Sequence, residues 1–321
     1  MLRTALAVMA VCLFVAPAAA EVDARQELTA AIRLLQARHI NSGKLDWPAV
    51  TAQAEAKLTG ALAGDAYPAI RFVIAALGER HTFLIDADVM AARQSGQRVG
   101  NAAPPPLVLP TGRLAAPDVG VVDLKGISDP RVASVKAYAA AARDALAQMA
   151  DARVCRIVVD LRGNTGGNMY PMLYGLAPLL GREPYGYFFD VSGMARPWRV
   201  AGAMHGRGIE LDDEQWSGQM HARVAVLIDR RTASAAEDTA IAFAGRAGTR
   251  FFGENSGGFL TGNISVPLPD GAMLAITTSF LGGRNGVRYD DRLAPDQVTP
   301  PGDATLNAAI SWLQAQSCED N

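Results

Sequence analysis

The chain predicts an α/β architecture over its C-terminal two thirds, preceded by a small helical bundle. Three observations carry this. Apolar runs at 153–161 and 224–228 are nearly unbroken, as strands buried on both faces of a parallel sheet require. Helix-like stretches alternate with them at the spacing of βα units. Residues 23–77, by contrast, repeat their apolar positions near every 3.6 residues and show no strand pattern.

Taken in order, residues 1–20 hold one Arg at position 3, an apolar run at 5–15 and small residues before Glu21. The run is too short to span a bilayer, so this reads as a secretory signal peptide, and the mature chain is expected to be periplasmic or secreted with no transmembrane anchor. An uncleaved signal anchor would keep the same domain outside the cytoplasm. The helical bundle occupies 21–85, with breaks at Asn41-Ser42-Gly43 and Gly64-Asp65. Asp46 before Trp47-Pro48 has the form of an N-cap, and Asp65 is expected to open a third helix. A loop ending at His81 then leads into a short apolar run at 82–85.

The remainder, 86–321, is expected to form the core. Residues 86–117 lack periodicity, contain Pro104-Pro105-Pro106 and read as a connection. A strand at 119–124, an Ala-rich helix at 132–149, the strand at 153–161 and a helix at 168–180 follow. Residues 183–222 are aromatic, irregular and polar, which suggests short strands or a cap over a cleft. The rhythm resumes with a strand to 228, a helix at 235–247 and a strand at 249–253. A hairpin at 266–278 turning at Pro269-Asp270-Gly271 precedes a closing helix at 304–316.

Half the residues are hydrophobic and the net charge is −2, with no dense basic run, so nucleic acid and anionic membrane surfaces are poor partners. Cys12 lies in the leader. Cys155, in a predicted buried strand, and Cys318, near the C-terminus, could join in an oxidising compartment or remain separate thiols; both readings stay open.

Ser234 follows the 224–228 strand and starts a helix, where free backbone N–H groups and the helix dipole favour a developing negative charge. It could be a helix cap or a nucleophile. A second strand–loop–helix unit ends in Gly163-Asn164-Thr165-Gly166-Gly167, whose glycines let backbone amides approach an anion. Neither the dinucleotide-binding nor the phosphate-loop glycine pattern is present, and no cofactor or metal is expected. A base for Ser234 has few candidates among four histidines at 39, 81, 205 and 221. His39 ends a helix, and His205 and His221 sit in the irregular segment. His81, in a loop that can project into a cleft, is the best placed, with an ordinary pKa near 6.5.

These residues carry a resemblance. Asp160-Leu161-Arg162-Gly163-Asn164-Thr165-Gly166-Gly167 together with Thr232-Ala233-Ser234-Ala235-Ala236-Glu237 resembles the tail-specific, or C-terminal processing, serine protease superfamily. Gly167-Asn168-Met169-Tyr170-Pro171-Met172, Gly253-Glu254-Asn255-Ser256-Gly257-Gly258 and Thr261-Gly262-Asn263 bring it near the branch that includes nisin-resistance-like and tricorn-like enzymes. The resemblance spans about residues 65 to 300. It implies a crotonase/ClpP-like core with an N-terminal bundle and a cap, a peptide or protein substrate, Ser234 as nucleophile and His81 as base. The oxyanion hole would use the Ala235 amide with that of Gly167 or Gly166, while Glu237 and Asp160 would serve local hydrogen bonding. Two features depart from the wider family: the 253–260 region holds no Lys for a Ser–Lys dyad, and the stretch between His81 and the 119–124 strand is too short for a PDZ domain. Asp290, shortly before Pro295-Asp296, is the candidate acid to orient His81; a dyad with a backbone or water partner is the alternative. Rival readings are a non-catalytic ligand- or peptide-binding protein on the same core, and an acyl-CoA enzyme, which export disfavours.

Overall fold

A computed structural model describes residues 22–95, 106–209 and 220–318. The expected signal peptide lies outside the described residues, as does the 210–219 part of the expected cap.

Helix α1 (Ala24–Arg38) starts where Asp23 accepts the Gln26 N–H at 2.8 Å and Gln26 reaches back to the Asp23 N–H, a reciprocal cap. α2 (Trp47–Glu55) is capped by Asp46, which accepts the Ala49 N–H at 3.2 Å. α3 (Tyr67–Ala76) does not begin at Asp65. That carboxylate accepts the Leu62 N–H at 2.9 Å inside a preceding 3₁₀ turn, and Pro68 occupies the first turn of the helix instead.

Strand β1 (Phe83–Ile85) follows the His81 loop. α4 (Ala87–Ser95) and β2 (Thr111–Ala116) then occupy the stretch that read as a connection. β2 leaves most of its side chains exposed and is held by its antiparallel ladder to β3 (Val119–Asp123), so it carries no apolar signature. Next come α5 (Val132–Asp151), β4 (Arg156–Asp160), α6 (Met169–Gly175) and α7 (Ala177–Leu180). The irregular segment forms β5 (Gly186–Phe189), β6 (Ala195–Pro197) and α8 (Val200–His205). β7 (Arg223–Ile228) leads into α9 (Ala235–Phe243), which stops before Gly245 at φ +78, and β8 (Thr249–Gly253) follows. The hairpin is longer than its apolar pattern, β9 (Thr261–Pro267) with β10 (Met273–Gly283). β11 (Arg288–Tyr289), β12 (Gln297–Val298) and α10 (Asp303–Gln314) complete the chain.

The central sheet has the order β12-β8-β7-β4-β3-β2, parallel except at β2. Its inner strands are covered on both faces, which explains their unbroken apolar runs. Ile157 and Val159 of β4 enter the core built with α5, α6 and α9, whereas Val158 between them packs with Ala309 and Leu313 of α10. A second sheet runs β1-β10-β5-β6, with β9 and β11 also paired to β10, all antiparallel. The β5–β6 segment is therefore the edge of this sheet. The bundle shares its core with this sheet through Leu268, Leu274 and Ile276, so α3, the His81 loop and β9 are packed as one body. Cys155 and Cys318 are bonded, with Cα atoms 5.7 Å apart, which ties the tail to the sheet.

This arrangement sets the site. The loops after β4 and β7 lie side by side at the carboxyl ends of parallel strands, where open α/β sheets bind ligands. The second sheet brings His81 to them.

Candidate active site

Ser234 joins β7 to α9 with φ +55 and ψ −123, a conformation that costs a non-glycine residue on the order of 1–3 kcal/mol. Its surroundings over-determine it. Fully buried Glu237 accepts the N–H groups of Ser234, Gly258 and Phe259, each at 2.8 Å, and the Ser256 hydroxyl. Asp229 accepts the Thr232 N–H at 2.9 Å and the Gly163 N–H at 3.1 Å, and the Ala233 N–H donates to the Asn164 carbonyl at 3.1 Å. The Ser234 turn and the glycine loop are thus stitched together. The Ser234 hydroxyl makes no cap bond. It lies 2.9 Å from His81 Nε2.

Asp238, which follows Glu237, is buried, and its Oδ1 has no partner among the described residues. Burial, then the adjacent Glu237 charge, pushes its carboxyl well above the carboxylate range and keeps it neutral.

In the glycine loop, the Gly166 amide donates to Asn164 Oδ1 at 2.9 Å, which removes it as an oxyanion donor. Gly166 is needed instead for space: at φ +97, a Cβ there would stand 2.6 Å from the Ala233 carbonyl oxygen and 2.9 Å from Ser234 Cβ. The amides of Gly167 and Ala235 make no hydrogen bond among the described residues. They remain free to receive a negative oxygen, one at each loop.

His81 is held from several sides. Its own N–H donates to Glu79 Oε2 at 2.5 Å, and its carbonyl accepts from Asn263 Nδ2 at 2.6 Å. Its ring meets Phe259 edge-on at 5.3 Å between centroids. Nδ1 lies 2.7 Å from Thr261 Oγ1. With Nδ1–H donating there, Nε2 is left as acceptor for the Ser234 proton. Burial lowers the His81 pKa below 6.5, against an opposing pull from the Glu79 charge and a hydrogen bond to the Thr261 backbone. The ring is therefore uncharged near neutral pH, as a base must be.

Asp290 does not reach this ring. It stands exposed and pairs with Arg288, and Thr261 at the start of β9 occupies the place expected of it. Sequence reasoning missed Thr261, Asn263 and Glu79. Thr261 and Asn263 lie in a stretch whose wording matched the family but whose hydroxyl and amide suggested no role, and only the β9–β10 register aims them at His81. His39, read as a helix-end residue, caps α1 and donates to Glu79 at 3.1 Å. Asp160 forms a two-oxygen pair with Arg162. Among the described residues no group of His, Cys, Asp and Glu is arranged to hold a metal ion.

The chain is a member of peptidase family S41, whose profile matches residues 118–299. That stretch contains Ser234 and the glycine loop but not His81. Over 162 residues the chain is 34% identical to the nisin-resistance protein of Lactococcus lactis subsp. lactis, covering 50% of each; it spans about half the length of that curated relative. Among solved structures, a lipoprotein from Streptococcus agalactiae superposes with TM-score 0.79 at 22% identity, over 95% of this chain and 99% of that one. The photosystem II D1 C-terminal processing protease superposes with TM-score 0.59 at 17% identity, over 91% and 97%. At these identities the likeness is one of fold: an α/β protease architecture.

Proposed function

We infer that this peptidase is of the serine type and works through Ser234 and His81. The hydrogen bond of 2.9 Å between Ser234 Oγ and His81 Nε2, joining residues 153 positions apart, carries this reading. His81 takes the Oγ proton as Oγ attacks the scissile carbonyl, and the amides of Gly167 and Ala235 hold the resulting oxyanion. His81 then gives the proton to the leaving amine as the C–N bond breaks. A water molecule, deprotonated by the same nitrogen, hydrolyses the acyl-enzyme and restores Ser234. The expected signal peptide and the Cys155–Cys318 bond support export to the periplasm or beyond. The name of the nisin-resistance relative makes an antimicrobial peptide or lanthipeptide one candidate substrate class, beside general periplasmic peptide turnover.

The test is covalent labelling with a fluorophosphonate, read by intact mass and peptide mapping, beside cleavage of a peptide library. Label on Ser234 and cleavage that disappears in Ser234→Ala support the reading. A folded protein that neither labels nor cleaves supports the binding-protein alternative.

A further inference from the structure

The orienting acid of a Ser–His–Asp arrangement does two things: it fixes the imidazole tautomer and it offers a negative charge to the imidazolium that forms during attack. Nδ1 here meets Thr261, whose hydroxyl lies at 2.7 Å and whose backbone also hydrogen-bonds the ring, and neither of these groups carries a charge. A carboxylate is nevertheless close. Glu79, two residues before His81, accepts the His81 N–H at 2.5 Å and the Thr82 N–H at 2.8 Å. Building on the Ser–His reading above, we propose that the acid's work is divided between two positioning residues. Thr261 orients the ring, while Glu79, bonded to the His81 backbone rather than to its imidazole, supplies the charge that stabilises the imidazolium.

The surroundings fit this division. Burial alone would raise the Glu79 carboxyl, but hydrogen bonds from His39 and Thr82 and from the His81 and Thr82 amides outweigh it and hold the group at about 2, so it is fully charged wherever the enzyme could work. His39 meets this carboxylate through Nε2 at 3.1 Å, while its Nδ1 accepts the Asn41 N–H at 2.9 Å. Other charged groups around this loop are Arg80, Arg292 and Glu237, and Arg292 is engaged with the Ser256 carbonyl at 3.0 Å. The Arg80 guanidinium stacks 4.8 Å from the Phe259 ring and reaches toward the Gly257 and Gly258 carbonyls, whereas Glu237 is committed beneath the Ser234 turn. Glu79 is also the point where α1, α3 and β1 meet through His39 and Thr82, so the helical bundle has a direct reason to be packed against the core.

The experiment uses the folded chain labelled with [¹⁵N]histidine, whose ring nitrogen shifts report the tautomer and titration of His81, together with the fluorophosphonate inactivation rate as a function of pH. Glu79→Gln should keep the Nδ1–H tautomer yet lower the His81 midpoint by about one unit and slow inactivation by on the order of 10-fold. Glu79→Asp, which keeps the charge, should hold the midpoint within about half a unit of wild type. Thr261→Val should weaken the tautomer preference and slow inactivation by about 10-fold while moving the midpoint by less than half a unit, and Thr261→Ser should recover the rate. An unmoved midpoint in Glu79→Gln, or an equal drop in Glu79→Asp, overturns the division. If Glu79→Gln does not fold, a lowered midpoint in Thr261→Val overturns it by assigning the charge effect to the wrong residue, and a midpoint held in both Thr261→Val and Glu79→Asp upholds it. Absence of any label on wild-type Ser234 would fail the Ser–His reading, while the histidine titrations would still report on Glu79.

Discussion

Replacing Glu237 by Gln should cost both stability and reactivity, because this one carboxylate holds Ser234 in a conformation that serine otherwise avoids. Its oxygens accept from three backbone N–H groups, those of Ser234, Gly258 and Phe259, each at 2.8 Å, and from the Ser256 hydroxyl, with no side-chain surface left to solvent. Gln keeps the shape but turns one oxygen into a donor. Oε1 faces Ser256 and Gly258, and Oε2 faces Ser234 and Phe259, so either amide orientation strands at least one backbone donor against an NH₂ group. A buried donor left unsatisfied costs about 1–3 kcal/mol, and the better amide orientation, with NH₂ toward Ser256 and Gly258, strands the one donor of Gly258, so the loss is about 1–3 kcal/mol, a sizeable part of the 5–15 kcal/mol of a typical domain. Urea unfolding of wild type and variant, read at matched m-values, measures the loss. Fluorophosphonate labelling below the transition measures whether the turn still presents Oγ to His81. A loss under about 1 kcal/mol with labelling within twofold of wild type would refute the claim that Glu237 holds the turn.

Other perturbations have equally definite signs. Ser234→Gly relieves φ +55 whereas Ser234→Ala does not, so the Gly variant, though inactive, should be more stable than the Ala variant by about 1 kcal/mol in thermal unfolding. The acidic limb of the pH–rate profile should fall below 6.5, because burial makes protonated His81 costly; a limb at or above 6.5 would contradict the assignment of the base. Cys155 and Cys318 close a 163-residue separation, so reduction or Cys318→Ser should lower stability by up to about 5 kcal/mol on the chain-entropy estimate, seen as a urea midpoint that drops with reductant in wild type only. Buried Glu27, beside Asp270, has its carboxyl raised to about 8, first by burial and then by Asp270. A raised acid binds a proton in the folded state that the unfolded chain has released, so stability should fall between about pH 4.5 and pH 8, and Glu27→Gln should flatten that slope in denaturant titrations.

What the sequence made legible follows from the range of the physics involved. The strand runs at 153–161 and 224–228 could be read because burial on both faces leaves a local, one-dimensional mark. Ser234 and the glycine loop could be read because each needs a particular backbone at a particular turn, and glycine is the residue that supplies it where a Cβ would collide, as at Gly166. β2 left no mark, since its side chains are mostly exposed and its stability comes from a ladder to β3.

The partner of His81 was hidden for a different reason. Searching the chain for a carboxylate led to Asp290, since charge is the property that residue type announces, but an orienting group needs only an acceptor on Nδ1 and a negative charge within reach. The fold meets those needs separately. A neutral hydroxyl at the start of β9 takes the nitrogen, and a carboxylate in the same loop as His81 takes the backbone amide. Thr261 becomes visible only through β9–β10 pairing 180 residues from His81, and Glu79 was passed over because a carboxylate bonded to backbone reads as loop structure. A catalytic role divided in this way has no sequence spacing of its own, because each half rests on a different element: one on sheet register, the other on the junction of α1, α3 and β1 that fixes the His81 loop.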